Sequence, residues 1–187
     1  MPPEGLQIRP AGAGDASRIA SIHVRSKCSA YRDFMPADYL ASLDQDGHRI
    51  ERWQPYFAAG HPENRAWMAF VEGIPAGFVA LERPSDEGVE AAPPGYVFLH
   101  QIHAAPEFRG RGLGAALLRT AVAHASDAGA RGVALWTNEH NEVARAFYER
   151  MGWRLDGAEA DVEYRWAGPP FTARNVRYVL SLSPRPS

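Results

Sequence analysis

Apolar and polar residues alternate over Leu6 to Arg9, which predicts a short first strand. Behind it, Ile19, Ile22, His23 and Ser26 recur on neighbouring turns of a helix for which Asp15 is a suitable N-cap. Tyr39, Leu40 and Leu43 mark a second helix just after Pro36, and Trp53, Tyr56 and Phe57 a third, short one. Ala66 to Val71 and Gly77 to Leu81 read as strands joined at Glu72-Gly73, a hairpin signal. Tyr96 to Ala104 is a long apolar-rich strand. Gly112 to Ala128 is helical, with Leu113, Leu117, Leu118, Ala121, Val122 and Ala125 on one broad stripe. Gly129 sits where a left-handed C-terminal cap belongs. Gly132 to Thr137 reads as a buried strand. Asn141 can cap a helix carrying Ala144, Phe147, Tyr148 and Met151, which Gly152 ends. Val176 to Leu182 is the last strand.

This order predicts an α+β fold with a strand–helix–strand–helix unit at its centre. Pro84 to Gly95 and Gly168-Pro169-Pro170 read as loops, and Pro184 to Ser187 as a frayed tail. No repeat or linker-like tract divides the chain, so residues 1–187 are expected to form one domain.

Composition narrows the function. Twenty Lys+Arg against 22 Asp+Glu give a formal charge of −2, which argues against broad electrostatic binding to nucleic acid or an anionic membrane. The 187 residues suffice to bury a core without staples. One cysteine, Cys28, excludes an internal disulfide framework and a Cys-rich zinc site. On an amphipathic helix it reads as a small core residue rather than a nucleophile. No apolar run approaches the ~20 residues of a membrane span, and Met1 to Pro10 lacks the apolar stretch of a signal peptide. A cytoplasmic location is the expectation.

The most informative segment is Arg109-Gly110-Arg111-Gly112-Leu113-Gly114, between a strand and a helix. Glycines let the backbone turn sharply and let a ligand approach without a Cβ in the way. The helix that starts here has unpaired N–H groups and a positive dipole end, a combination suited to a phosphate or diphosphate. A Walker loop would need Gly-Lys-Ser/Thr, and no lysine is present. A dinucleotide fingerprint would need Gly-x-Gly-x-x-Gly and an acid ~20 residues on; the spacing here is Gly-x-Gly-x-Gly and no acid lies near Ala134.

The spacing Arg109-x-x-Gly112-x-Gly114 resembles instead the acyl-CoA loop of the GNAT superfamily of N-acetyltransferases. The flanks extend the likeness from Leu99 to Trp153. They comprise His100-Gln101-Ile102-His103-Ala104, Pro106-Glu107, Ala116-Leu117-Leu118 and the run Asn141-x-x-Ala144-x-x-Phe147-Tyr148-Glu149-Arg150-x-Gly152-Trp153. The last pattern, at this distance after the loop, is the specific part. The resemblance implies a GNAT-like mixed sheet in which strands Tyr96–Ala104 and Gly132–Thr137 are a splayed parallel pair flanked by helices. It implies an acyl-CoA core at about 96–153 and acceptor-side helices at about 15–60. It implies acetyl-CoA as co-substrate, no metal, an amine acceptor, transfer in a ternary complex and a homodimer as a frequent assembly.

By the same resemblance, Ile102, His103 and Ala104 contact the pantetheine arm through backbone groups. Arg109, Gly110, Arg111, Gly112, Leu113, Gly114 and Ala115 hold the diphosphate. Asn141 contacts the coenzyme or only caps its helix, and Tyr148 is the general acid for the leaving thiolate. Its phenol can donate while remaining protonated at neutral pH; its other reading is packing beside Phe147. Many family members carry a glutamate on the strand before the loop, but Tyr96 to Ala105 has no acid. His100 and His103 are the candidate bases there, and strand alternation predicts that they point to opposite faces, so that only one meets the cleft and they do not pair on a metal. His100 is preferred; Glu139 is a further candidate. Tyr31, Phe34, Met35, Tyr39, Trp53, Tyr56 and Phe57 either wall an acceptor pocket or pack helices. Asp33, Asp38, Asp44 and Asp46 either attract a cationic amine or form a solvated face. An aminoglycoside-like drug, a polyamine, an amino acid and a protein α-amine all remain open as acceptors. A non-catalytic acyl-CoA sensor and a longer acyl donor are the alternative readings.

Overall fold

The computed structural model describes residues 2–45, 48–58, 64–82 and 92–183. Most of the Pro84–Gly95 loop and the Pro184–Ser187 tail lie outside them, as do the side chains of Asp44 and Asp46. Among the described residues, one seven-stranded sheet runs through the molecule in the order β1-β2-β3-β4-β5-β7-β6. The strands are β1 (Leu6–Pro10), β2 (Arg65–Val71), β3 (Ile74–Glu82), β4 (Tyr96–Ala104), β5 (Gly132–Asn138), β6 (Arg154–Tyr164) and β7 (Phe171–Ser181). Every neighbouring pair is antiparallel except β4 and β5.

Helices cover both faces. α4 (Leu113–Asp127) and α5 (Glu142–Arg150) pack on one. The stripe Leu113, Leu117, Leu118, Ala121 and Ala125 is buried there against Val79, Leu81, Leu99, Val133 and Leu135. α1 (Ala16–Ala30) and α3 (His48–Ala58) cover the other face, where Ile19, Ile22 and Trp53 meet Met68, Phe78 and Ala80. α2 (Ala37–Gln45) closes a third cluster over β6 and β7, with Met35, Tyr39, Leu40 and Leu43 beside Tyr164 and Phe171. Each strand of the centre thus alternates between two apolar layers, which is why β2, β3 and β5 read as near-continuous apolar runs.

The hairpin between β2 and β3 turns at Glu72 (φ 51°) and Gly73 (φ 79°), the left-handed pair that suits a two-residue connection. The sequence reading differs from the structure at the C-terminal hairpin. β6 spans eleven residues; from Ala158 to Tyr164 small or apolar residues alternate with Glu159, Asp161 and Glu163, a period-two pattern that the sequence reading passed over, while Arg154 to Gly157 are exposed and break it. β7 starts at Phe171, five positions before Val176, and so includes residues that pair only with β6.

Asp15 precedes α1 as expected, but its carboxylate does not cap the helix. It accepts two bonds from the Arg9 guanidinium at 2.8 Å each and one from the Gly12 amide at 3.1 Å, while 5% exposed. The Arg9 bonds hold its carboxyl below the usual aspartate range. Its stabilisation is therefore present above the ordinary aspartate pKa of ~3.9 and is lost as pH falls through the lower folded value. Asp15→Asn is expected to cost about 1–3 kcal/mol at pH 7. In urea titrations the gap between the two proteins should narrow steadily below pH ~4.

Candidate active site

The parallel pair is interrupted. β4 and β5 are in register only from Tyr96 to Phe98 against Gly132 to Ala134. Beyond that rung β4 stays paired to β3 as far as Ala104, and β5 stays paired to β7 as far as Asn138. Each strand is held by its outer neighbour while the inner edges part. The opening has bare backbone along both walls.

A bulge sits at its apex. Leu81 opposes Leu99 and Ala80 opposes Gln101, leaving His100 as the extra residue of β4. From there the Ala105 amide donates to the Ala76 carbonyl at 2.8 Å. Antiparallel pairs alternate between bonded and non-bonded. His103 and Gln101 therefore spend their backbone groups on β3, whereas Ile102 and Ala104 turn theirs toward the opening. A Cβ on Gly77 would lie 2.8 Å from the His103 carbonyl oxygen, so this close pairing needs glycine. Of the three residues expected to meet pantetheine through the backbone, two have that orientation and His103 does not.

At the lower end of the opening Pro106–Phe108 forms a 3-10 turn, and Gly110 (φ 74°) and Gly112 (φ 77°) adopt left-handed conformations before α4 begins. The Arg109 amide donates to the Pro106 carbonyl, and the first helical bond is Ala116 to Gly112. Among the described residues, the amides of Gly110 through Ala115 meet no backbone acceptor. They form a run of donors at the positive end of a fifteen-residue helix. Arg109 departs from the expectation that it faces a diphosphate. Its guanidinium donates to the Ser26 carbonyl (2.8 Å), Ser26 Oγ (3.0 Å) and Ser29 Oγ (2.9 Å) on α1. Beside it, Arg25 pairs with Glu107 at 2.7 Å.

The bulge also overturns the expected split of the two histidines. Leu99 and Ile102 both pack toward α4, which places His100, Gln101 and His103 together on the α1 face. They differ in engagement. His103 Nδ1 lies 3.0 Å from Ser26 Oγ and its Nε2 lies 2.8 Å from Gln101 Oε1, so both ring nitrogens are occupied. The ring also stacks on His23, centroids 4.5 Å apart. His100 Nδ1 pairs with Glu82 at 3.0 Å, and among the described residues its Nε2 meets nothing. Glu82, at the end of β3, is the carboxylate that the sequence reading sought on β4 and missed; its position opposite Phe98 becomes visible only with the strand register.

Tyr148 is 7% exposed on α5, among Phe147, Trp153 and Tyr178. Burial pushes its phenol well above the usual tyrosine value. Its hydroxyl has no hydrogen-bond partner among the described residues, and its charge would be felt by Tyr31 at the end of α1. α5 is pinned by Tyr178, which donates to Glu149 at 2.7 Å and accepts from Arg145 at 3.3 Å. Asn141 Oδ1 accepts from the Ala144 amide at 3.2 Å and so caps α5. Glu139 lies 3.5 Å from His140 at the surface. Cys28 Sγ donates to the Leu40 carbonyl at 3.4 Å within the α2 cluster.

The aromatic residues expected to act together divide in two. Trp53, Tyr56 and Phe57 pack with Phe78 between α3 and the sheet. Tyr31, Phe34, Met35 and Tyr39 join Tyr164, Trp166 and Phe171 from the last hairpin. Asp33 and Asp38 are exposed. Among the described residues, no three His, Cys, Asp or Glu side chains are grouped to hold a metal, and no helix is long and apolar enough to cross a membrane.

Residues 28–153 match the model of the acetyltransferase (GNAT) family. An uncharacterized N-acetyltransferase of Methanocaldococcus jannaschii is 34% identical over 102 residues, covering 54% of this chain and 44% of that protein. An uncharacterized N-acetyltransferase of Mycobacterium tuberculosis is 27% identical over 143 residues, 76% of this chain and 85% of that one. Among solved structures, PaiA N-acetyltransferase from Thermoplasma acidophilum, in complex with coenzyme A, shares the fold. Its TM-score is 0.72 at 16% identity, over 95% of this chain and 99% of that chain. The chain belongs to the acetyltransferase (GNAT) family, whose members are acetyl-CoA-dependent acyltransferases.

Because the Arg109 side chain serves α1 rather than the glycine turn, Arg109→Ala is expected to destabilise the fold by about 1–3 kcal/mol in denaturant titrations. Calorimetric acetyl-CoA affinity should change less than about threefold, since the loss falls on tertiary contacts rather than on a charged ligand contact.

Proposed function

We propose that the protein transfers an acetyl group from acetyl-CoA to a primary amine of a small molecule or peptide, by direct attack in a ternary complex. The observation that carries this reading is the opening between β4 and β5, which ends on the left-handed glycine turn at the start of α4. A chain of amides such as pantetheine fits bare backbone as an added strand would. Ile102 and Ala104 are the residues of β4 placed to pair with it. The amides of Gly110, Arg111, Gly112, Leu113, Gly114 and Ala115 hold the diphosphate through hydrogen bonds and the helix dipole. The Arg109 contribution to the turn is its amide-to-Pro106 bond; its side chain ties this segment to α1.

His100 takes the amine proton, directly or through one water. Glu82 accepts a hydrogen bond from Nδ1–H, which leaves the Nε2 lone pair for the substrate, the arrangement by which a carboxylate fixes a tautomer. The amine nitrogen then bonds to the thioester carbon and the carbon–sulfur bond breaks. The electron pair leaves with sulfur, and the Tyr148 hydroxyl supplies its proton; solvent reprotonates Tyr148 as His100 releases the proton it took. Burial favours the protonated phenol, so Tyr148 is held ready as a donor. His103, with both nitrogens bonded, orients rather than reacts.

Acetyl-CoA is expected to raise the melting temperature, because a ligand that binds only the folded state stabilises it by mass action. Gly112→Asp should abolish that shift, since it puts a side chain at φ 77° and a negative charge beside the diphosphate. No shift at saturating acetyl-CoA would sink the reading.

A screen of amines that follows thiol release identifies acceptors. Tyr148→Phe and His100→Ala should each lower kcat by about 10²-fold or more, the usual worth of a positioned acid or base, with acetyl-CoA affinity retained. Binding without turnover on any amine class would identify a sensor instead.

A further inference from the structure

Two side chains with unpaired N–H groups stand at the same step of β4 and β5, just past the apex of the opening. His103 Nε2 lies 2.8 Å from Gln101 Oε1, so the imidazole donates and the carboxamide oxygen accepts. This holds whether the ring is neutral or charged. The two N–H bonds of Gln101 are left over, and among the described residues nothing accepts them. The indole nitrogen of Trp136 is buried and likewise without a partner.

The register brings these two residues level. The last rung joining β4 to β5 is Phe98 with Ala134. Two positions on, β5 presents Trp136; with His100 bulged out, β4 presents Gln101 at the same step. Both lie on the α1 face. Gln101 opposes Ala80 of the α1 cluster, and Trp136 alternates with Val133 and Leu135 of the other layer. The Arg177 guanidinium lies 5.4 Å from the Trp136 ring and is paired with Asp156 at 2.8 Å. Donors from both strands select a ligand group that accepts hydrogen bonds. His100, the proposed base, is the residue next to Gln101, so a ligand held by these donors has its near atoms beside the base.

We propose that Gln101 and Trp136 grip the carboxylate of an α-amino acid acceptor, or the carbonyl oxygen in the same place on a peptide, and thereby select an α-amine. This deepens the acetyltransferase reading and rests on it. The oxygen bonds to donors from both strands. The α-nitrogen, three bonds from that oxygen, then lies beside His100. A simple alkylamine of the same size leaves both donors unmet.

The test uses the protein saturated with coenzyme A, so that binding is read without turnover. Calorimetry compares L-phenylalanine with 2-phenylethylamine, a pair that differs only in the carboxylate. Wild type is expected to bind phenylalanine at least about tenfold tighter, the worth of hydrogen bonds to a charged group. Gln101→Glu keeps the oxygen that His103 needs but replaces the donors, and Trp136→Phe keeps the ring but removes the N–H. Each should erase the preference; Trp136→Phe should leave 2-phenylethylamine binding within about twofold, since that probe makes no such bond, and the added carboxylate of Gln101→Glu should not weaken binding of that ammonium. Equal binding of the two probes, binding of neither, or a preference that survives both substitutions overturns the proposal. The acetyl-CoA melting shift of the same samples separates the two failures: a retained shift with no preference sinks this inference alone, and a missing shift sinks the functional reading beneath it.

Discussion

The structure depends on a ladder that stops early. Three residues of β4 pair with three of β5, and then both strands continue without each other. A backbone edge left bare inside a protein is costly unless something fills it or water reaches it. Here the cost is contained because β3 and β7 hold the outer edges firmly and the extra residue at His100 bends β4 away. The same bulge that opens the sheet turns His100, Gln101 and His103 toward one face. Shape and chemistry at this place have a single origin.

α1 is the element shared by both halves of the site. Its polar side grips the turn after β4 through Arg25, Ser26 and Ser29, and Ser26 continues that contact to His103. Its C-terminal end carries Tyr31 into the aromatic cluster of the last hairpin. Arginine only donates, so the Arg109 bonds fix Ser26 Oγ as their acceptor. The order in that chain extends to the orientation of the Gln101 amide. A small shift of α1 would be felt at the glycine turn and at the acceptor wall together.

Much of this was legible in the sequence, for physical reasons. The α4 stripe, the glycine turn and the run from Asn141 to Trp153 are local features, and the structure keeps them where the periodicity put them. β6 was overlooked because its alternation, Ala158, Ala160, Val162 and Tyr164 against Glu159, Asp161 and Glu163, rests on two alanines and a half-exposed edge, a weak apolar signal. The opposed histidines failed for another reason. Alternation assumes an unbroken ladder, and nothing local in Phe98-Leu99-His100-Gln101 announces an inserted residue. Glu82 was missed because its relation to His100 is a matter of register between strands. The aromatic residues of 31–57 divided because two helices that follow each other in the chain lie over different parts of the sheet.

β7 lies between β5 and β6, so the strand that completes the sheet is threaded into its middle. Until that strand is made, β5 has no outer neighbour, only β4 along its first three residues, and the tyrosine that pins α5 does not exist. A growing chain on the ribosome can assemble the hairpin of β2 and β3 and wind α4. It cannot yet hold two diverging walls at a fixed distance. The site therefore comes into being in one late step, after nearly all of its residues have emerged, and a truncated translation product would carry the whole glycine turn without a working cleft around it.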